Sequence, residues 1–88
     1  MYSVSVKLEN ASGLSGKAAS LFAREAKKYA AKVAVLFGDA SANGKSVSPL
    51  TALGAVRGSK VEIRADGEDE EKACEALKAL IAGGLGEK

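Results

Sequence analysis

Residues 13–19 read G-L-S-G-K-A-A and lie between an alternating strand pattern and a helical pattern. The first backbone N–H groups of a helix lack partners within it and carry partial positive charge, so an anion of phosphate size can bind there. Ser15 or Gly16 can cap this helix, and Lys17 adds a positive charge at the same position. The chain has no histidine, which excludes serine–histidine and cysteine–histidine catalysis. The sequence therefore predicts an anion pocket without a catalytic base, and not an enzyme.

The composition of the whole chain argues against several other classes of function. Eighty-eight residues predict one domain over residues 1–88, and a net charge of +2 is too small to indicate nucleic-acid binding. One cysteine, Cys74, and the lack of histidine exclude an internal disulfide and a zinc site. No apolar run approaches the ~18 residues of a membrane span. We therefore expect a cytoplasmic protein with no metal, no cofactor and no membrane span.

The elements that position the pocket begin with a strand, since apolar and polar residues alternate from Tyr2 to Leu8. A loop at Asn10–Gly13 follows, and then a helix over Gly16–Ala30. A second strand is predicted at Lys32–Phe37. The apolar stripe of the helix consists of Ala19, Phe22, Ala26 and Tyr29.

A short third strand is predicted at Ala40–Ala42, after a turn at Gly38-Asp39. Either Ser46 or Ser48 then caps a helix of about two turns that runs to Leu53 and is stopped by Gly54. If Ser46 is the cap, Pro49 lies within the first turn, and if Ser48 is the cap, Pro49 is the first helical residue.

A fourth strand at Lys60–Ala65 and a last helix that ends at Gly83-Gly84 complete the chain. Four acidic residues, Glu68 to Glu71, are expected in the first turn of that helix, where they complement its dipole, and an acidic partner-binding patch is the alternative. The element order βαββαβα predicts an α+β fold, a four-stranded antiparallel sheet covered on one face by three helices.

The loop at residues 13–19 resembles the active loop of the HPr family, the phosphocarriers of the bacterial sugar phosphotransferase system, which reads approximately G-[LI]-H-[TA]-R-P-A. Gly13, Leu14 and Ala19 match it. The histidine, the arginine and the proline of the family are here Ser15, Lys17 and Ala18.

The resemblance continues to the C-terminal region. Lys45-Ser46-Val47, Leu50 and Leu53-Gly54 resemble the regulatory serine segment of the family, roughly K-S-[LIV]-x-x-[LV]-x-x-L-G. Residues 61–70 resemble its last strand and the start of its last helix. Nearly all 88 residues are covered, and the resemblance implies the same HPr-like open-faced sandwich.

In the HPr family the histidine accepts phosphate from Enzyme I and passes it to sugar-specific subunits. Phosphohistidine is a reactive phosphoramidate, whereas a phosphoserine ester is stable, and Ser15 has no visible base beside it. The resemblance thus implies a divergent member that does not relay phosphate by histidine, similar to the catabolite-repression HPr homologue. A regulatory or protein-interaction role follows, and an atypical carrier with Ser15 in place of histidine is the alternative.

The resemblance also implies a regulatory phosphorylation site at Ser46. In family members from low-GC Gram-positive bacteria, an ATP-dependent HPr kinase phosphorylates this serine, and the product binds a transcription regulator. The implied partners are an HPr kinase, an Enzyme I-like protein and that regulator. The expected anion- or partner-binding surface consists of Ser15, Gly16, Lys17, Lys45, Ser46, Leu50 and Leu53.

Four further alternatives remain to be weighed. Ser15 and Ser46 can both be plain helix caps, without any role in binding. The fold can also serve as a module recruited to an unrelated partner. The basic run Arg24, Lys27, Lys28 and Lys32 fits a solvated helix face better than a phosphate-binding stripe. The G-x-x-G spacing from Gly13 to Gly16 lacks the basic charge and the element order of an RNA-binding KH loop.

Overall fold

The computed structural model describes residues 1–10, 13, 14 and 16–85. Its elements follow the order βαββαβα that the sequence predicts. They are β1 (Tyr2–Lys7), α1 (Gly16–Ala26), β2 (Lys32–Phe37), β3 (Ala40–Asn43), α2 (Val47–Ala52), β4 (Lys60–Asp66) and α3 (Glu70–Ala82).

The four strands form one antiparallel sheet in the order β1-β4-β2-β3. Ile63 of β4 lies at its centre, opposite Val4 of β1 on one side and Val35 of β2 on the other. Because side chains alternate along a strand, the apolar residues of β4 share one face and Lys60 and Arg64 reach solvent. The helices cover the apolar face, so the predicted open-faced sandwich is confirmed.

The core lies between the sheet and the helices. Phe22 of α1, Ile63 of β4 and Leu77 of α3 are each 0% exposed. Burial of each such side chain stabilises the fold by about 1.5–3 kcal/mol. Among the described residues, no helix is both long and apolar enough to cross a bilayer.

Helix α1 ends at Ala26, four residues before the predicted end at Ala30. The N–H groups of Lys28 and Tyr29 bond to carbonyls three residues earlier, the pattern of a tightening last turn. The N–H groups of Ala30 and Ala31 donate to the carboxylate of Asp69, and this contact directs the chain into β2.

Helix α3 begins at Glu70, so the prediction of four acidic residues in its first turn is wrong. Glu70 and Glu71 lie in that turn, whereas Glu68 and Asp69 precede it. The Asp69 carboxylate bonds across to the end of α1 and does not cap its own helix. Four other boundaries differ from the prediction by one residue. Strand β1 ends at Lys7 and helix α2 at Ala52, and strands β3 and β4 extend to Asn43 and Asp66.

Candidate functional site

The loop before α1 is fixed against the segment that follows α2. Leu14 donates its N–H to the carbonyl of Ala55 at 3.0 Å, and the buried Asn10 side chain donates to the carbonyl of Gly13 at 2.6 Å. Gly13 has φ +62°, and a Cβ there would lie 2.5 Å from the oxygen of Ala55 and 2.6 Å from Cα of Val56. Only glycine fits this position, so the conformation of the loop depends on it.

Of the residues predicted to bind an anion in this loop, Ser15 lies outside the described part of the chain. Gly16 is the first residue of α1, with φ +54°, and both it and Lys17 are exposed. Ala18 and Ala19 are buried and anchor the first turn in the core. The helix start therefore presents Gly16 and Lys17 to solvent.

Ser46 occupies the N-cap position of α2, with φ −121° and ψ 129°, and is half-buried. Its backbone N–H donates to the carbonyl of Asn43 at 3.1 Å. Within the described ranges, its side chain makes no capping hydrogen bond. A cap accepts from the N–H of the second or third helical residue, and the third is Pro49, which has none. Of the two predicted capping positions, Ser46 is the one observed, but its hydroxyl does not cap.

Lys45, a residue of the predicted anion- or partner-binding surface, makes two hydrogen bonds within the protein. Its Nζ donates to the backbone carbonyl of Tyr29 at 2.7 Å, and its own N–H donates to Oδ1 of Asn43 at 2.9 Å. The ammonium also lies near enough to Asp69 to contribute to the lowered pKa of that carboxyl. In this structure Lys45 therefore stabilises the turn after α1.

Leu50 is fully buried, so the prediction that it forms part of an exposed docking surface is wrong. Helix α2 packs against α1, and Leu50 is its buried residue. Leu53 is half-buried at the end of the helix. The side chains of Val47, 40% exposed, and Val56, 62% exposed, provide apolar surface that the sequence reasoning missed.

The two predicted regions are joined by α2. Ser46 precedes the helix, and Ala55, which holds Leu14, follows it after Gly54. Six helical residues span about 9 Å at 1.5 Å per residue. The loop and the serine therefore lie at opposite ends of one short helix, with Val47 at one end and Val56 beyond the other.

Two of the four acidic residues around the start of α3, Asp69 and Glu70, have structural partners. Hydrogen bonds from Ala30 and then Ala31 lower the pKa of Asp69 against an opposing effect of burial. The pKa of Glu70 is lowered by the N–H of Gly67 and by the amino group of Met1, which lies 3.0 Å from Oε2. These bonds favour the structural explanation of the cluster over a partner-binding patch.

Cys74 is completely buried, and burial raises the pKa of its thiol. Its Sγ lies 3.5 Å from the carbonyl oxygen of Tyr2 and 3.7 Å from that of Ile63. A neutral, enclosed thiol is a packing residue and not a nucleophile.

A family model described as "PTS HPr component phosphorylation site" matches residues 2–83. The phosphocarrier protein HPr of Haemophilus influenzae is 41% identical over 81 residues, which are 92% of this chain and 95% of that protein. Such relatives are named as phosphate carriers and not as enzymes, in agreement with the expectation for this chain.

Solved structures match over the same length. HPr-C-His from Thermoanaerobacter tengcongensis has a TM-score of 0.96 and 34% identity, covering 100% of this chain and 99% of that one. Crh, the catabolite repression protein of Bacillus subtilis, has a TM-score of 0.76 and 31% identity, covering 96% and 97%. Sequence and fold agree, and this chain belongs to the HPr family of the phosphotransferase system.

Proposed function

We propose that this chain is a regulatory or protein-interaction member of the HPr family that does not relay phosphate through a histidine. The observation that carries the proposal is the lack of any imidazole in 88 residues, with Ser15 at the position of the phosphorylated histidine. Lys17 adds support, because an ammonium is a point charge and lacks the two-pronged geometry of arginine. We further propose that residues 1–88 are one HPr-like domain that acts in the cytoplasm.

Ser46 is the proposed regulatory switch. An HPr kinase would transfer the γ-phosphoryl group of ATP to Oγ of Ser46, forming an O–P bond and releasing ADP and the hydroxyl proton. The product carries about −1.5 to −2 charges at neutral pH, next to a helix start. Val47 and Ser48, the residues that follow, are both exposed, which supports access by a kinase. The similarity to Crh supports a role in catabolite repression.

The proposed docking surface consists of Gly16, Lys17, Val47, Leu53 and Val56. Val47 and Val56 expose apolar area at opposite ends of α2, and Lys17 is exposed in the first turn of α1, after the loop that Leu14 bonds to Ala55. Exposed apolar surface rimmed by polar residues is a feature of sites that bind other proteins. The expected partners are an HPr kinase, an Enzyme I-like protein and a transcription regulator.

Phosphorylation by HPr kinase and ATP tests the switch. Mass spectrometry should show one added phosphate in the wild-type chain and in Ser48→Ala, but none in Ser46→Ala. Ser48 is the matched control because its hydroxyl is exposed two residues away. A wild-type chain that stays unmodified, under conditions that phosphorylate a histidine-bearing HPr, would overturn the proposed switch.

Labelling from phosphoenolpyruvate through Enzyme I tests the lack of histidine relay. We expect no label on the wild-type chain, and a histidine-bearing HPr in the same reaction provides the positive control. Label that disappears in Ser15→Ala and moves on to a sugar-specific acceptor would establish the atypical carrier instead.

A further inference from the structure

Three separate segments meet at a polar junction formed by Tyr29, Ala30, Ala31, Lys45 and Asp69. Nζ of Lys45 donates to the carbonyl of Tyr29 at 2.7 Å. The N–H groups of Ala30 and Ala31 donate to the two carboxylate oxygens of Asp69 at 2.9 and 2.8 Å. The ammonium of Lys45 and the carboxylate of Asp69 thus hold the turn after α1.

The backbone around this junction is tightly fixed. A Cβ on Gly67 would lie 2.7 Å from Cα of Ala31, so the α3 side and the turn are in close contact. Gly44, just before Lys45, donates its N–H to the carbonyl of Val33 at 2.8 Å, and a Cβ there would lie 2.5 Å from Cγ1 of Val33. The four-carbon stem of Lys45, by contrast, is flexible and can change position at low cost.

The start of α2 offers few backbone donors to a phosphate on Ser46. Counting from Ser46 as N-cap, the first three helical residues are Val47, Ser48 and Pro49. Pro49 has no N–H, so one donor of the first turn is missing. A phosphate has three acceptor oxygens and needs compensating charge, which the adjacent residue, Lys45, can supply.

We propose that Lys45 couples the phosphorylation state of Ser46 to the polar junction. A phosphate on Ser46 draws the ammonium away from the carbonyl of Tyr29, because the charged phosphate attracts the ammonium by Coulomb interaction and the neutral carbonyl carries only a partial charge. The turn after α1 then loses its bond to Lys45, and Asp69 loses a nearby cation. This inference rests on the proposed regulatory role of Ser46 and adds the route by which a partner could recognise the modified form.

Nuclear magnetic resonance on chains with phosphoserine at position 46 tests the coupling. The phosphoserine is introduced during translation, so the outcome does not depend on any kinase. In the wild-type background, the amide resonances of Ala30 and Ala31 should move, and their hydrogen exchange should accelerate on the order of fivefold, which corresponds to about 1 kcal/mol, the contribution of a typical hydrogen bond.

Lys45→Met separates coupling from direct effects of the phosphate. Without the ammonium, the unphosphorylated variant should already show the displaced Ala30 and Ala31 resonances, and phosphoserine should add nothing further. Lys28→Met is the matched control, because the Lys28 side chain is exposed and pairs with Glu25 on α1. It should respond to phosphoserine as the wild-type chain does.

Two outcomes would overturn the coupling. One is phosphoserine that leaves the Ala30 and Ala31 amides unchanged in the wild-type chain, and the other is the same displacement in Lys45→Met as in wild type. If Lys45→Met does not fold, the ¹⁵N resonance of the Lys45 ammonium in the wild-type chain decides, since it must move when phosphate is present. A chain that no kinase modifies but that shows this coupling would refute the proposed switch and leave the coupling intact.

Discussion

The loop before α1 and the segment around Ser46 have diverged in opposite ways. In the loop the backbone arrangement is specific, with Gly13 at φ +62° against Ala55 and Asn10 bonded to its carbonyl, yet no imidazole is present. At Ser46 a hydroxyl is present at the proposed site of phosphorylation, but Pro49 removes a donor from the helix start, and the Lys45 ammonium is bonded to the carbonyl of Tyr29.

In the loop before α1 the specific feature is the conformation of the backbone, whereas in the segment around Ser46 it is the side chain of the serine. The loop contributes to stability whether or not it binds phosphate, because Leu14 is buried and its N–H is bonded to Ala55. In α2, Leu50 is the residue that is fully buried. The segment around Ser46 therefore contributes to stability through the packing of Leu50. Stability measurements therefore probe the backbone of the first region and the packing of Leu50 in the second, and phosphorylation measurements probe Ser46 itself.

Replacement of Leu50 should have the largest effect. Leu50→Ala removes a completely buried side chain, and we expect the free energy of unfolding to fall by about 3 kcal/mol. Urea denaturation followed by circular dichroism measures it. Val47→Ala, on the exposed part of the same helix, should change it by under about 0.5 kcal/mol. Equal losses in the two variants would mean that Leu50 is not a core residue.

Gly13→Ala should produce the next largest effect. The added Cβ would meet Ala55 and Val56 at 2.5 to 2.6 Å, and alanine is strained at φ +62°. We expect a loss of about 2–3 kcal/mol in the free energy of unfolding. Gly38→Ala is the control, because Gly38 has φ +60° with open space around it, and should lose only about 1 kcal/mol. A similar loss in both variants would show that contact with Ala55 does not constrain the loop.

The sequence predicts the sheet well because its signal is local. Val61, Ile63 and Ala65 alternate with polar residues, and all three face the core as expected. The bounds of β2 agree completely with the prediction. A period of two fixes the face of each side chain, so no knowledge of distant residues is needed.

The errors arise where distant segments decide the outcome. The end of α1 and the start of α3 both depend on Asp69, which bonds to residues 38 and 39 positions earlier. Nothing near Ala30 indicates this contact. In a six-residue helix, spacing alone cannot tell which of Val47, Leu50 and Leu53 faces inward, because that depends on where α1 packs. The position of the Lys45 ammonium could not be predicted from nearby residues either, because its acceptor, the carbonyl of Tyr29, is 16 residues away in the sequence.

Pro49→Ala tests whether the helix start limits the response to phosphate. The substitution restores an N–H at the third helical position, which a phosphate on Ser46 can use. We expect phosphoserine to stabilise this variant by about 1.5 kcal/mol more than it stabilises the wild-type chain, as for one hydrogen bond to a charged group. Urea denaturation measures this difference in the free energy of unfolding. It is applied to the wild-type chain and to Pro49→Ala, each with either serine or phosphoserine at position 46.

Ser48→Ala serves as the control for Pro49→Ala, because it alters the neighbouring position and leaves its N–H unchanged. Its response to phosphoserine should equal that of the wild-type chain. If phosphoserine stabilises Pro49→Ala and the wild-type chain by the same amount, the missing N–H of Pro49 does not limit the response to phosphate. The segment around Ser46 would then be less altered than its comparison with the loop implies.

The smallest expected effect is the pH dependence that Asp69 contributes. Bonds from Ala30 and Ala31, together with the nearby Lys45, lower the pKa of this carboxyl in the folded state. In the unfolded chain its pKa is about 3.9. A lowered folded pKa favours the folded state above that value, and the stabilisation is lost as the pH falls through the folded pKa. Because Asp69 is partly exposed, solvent screens the effect.

Asp69→Asn should therefore be less stable than wild type at pH 6, and the difference should narrow toward pH 3, as urea denaturation at several pH values would show. Asp39→Asn, in the exposed turn between β2 and β3, controls for the change in net charge. Lys45→Met should remove part of the same pH dependence, because the ammonium also favours the charged carboxylate. Parallel curves for Asp69→Asn and wild type would mean that the polar junction does not depend on this charge. Its link to Ser46 would then have to act through the carbonyl of Tyr29 alone.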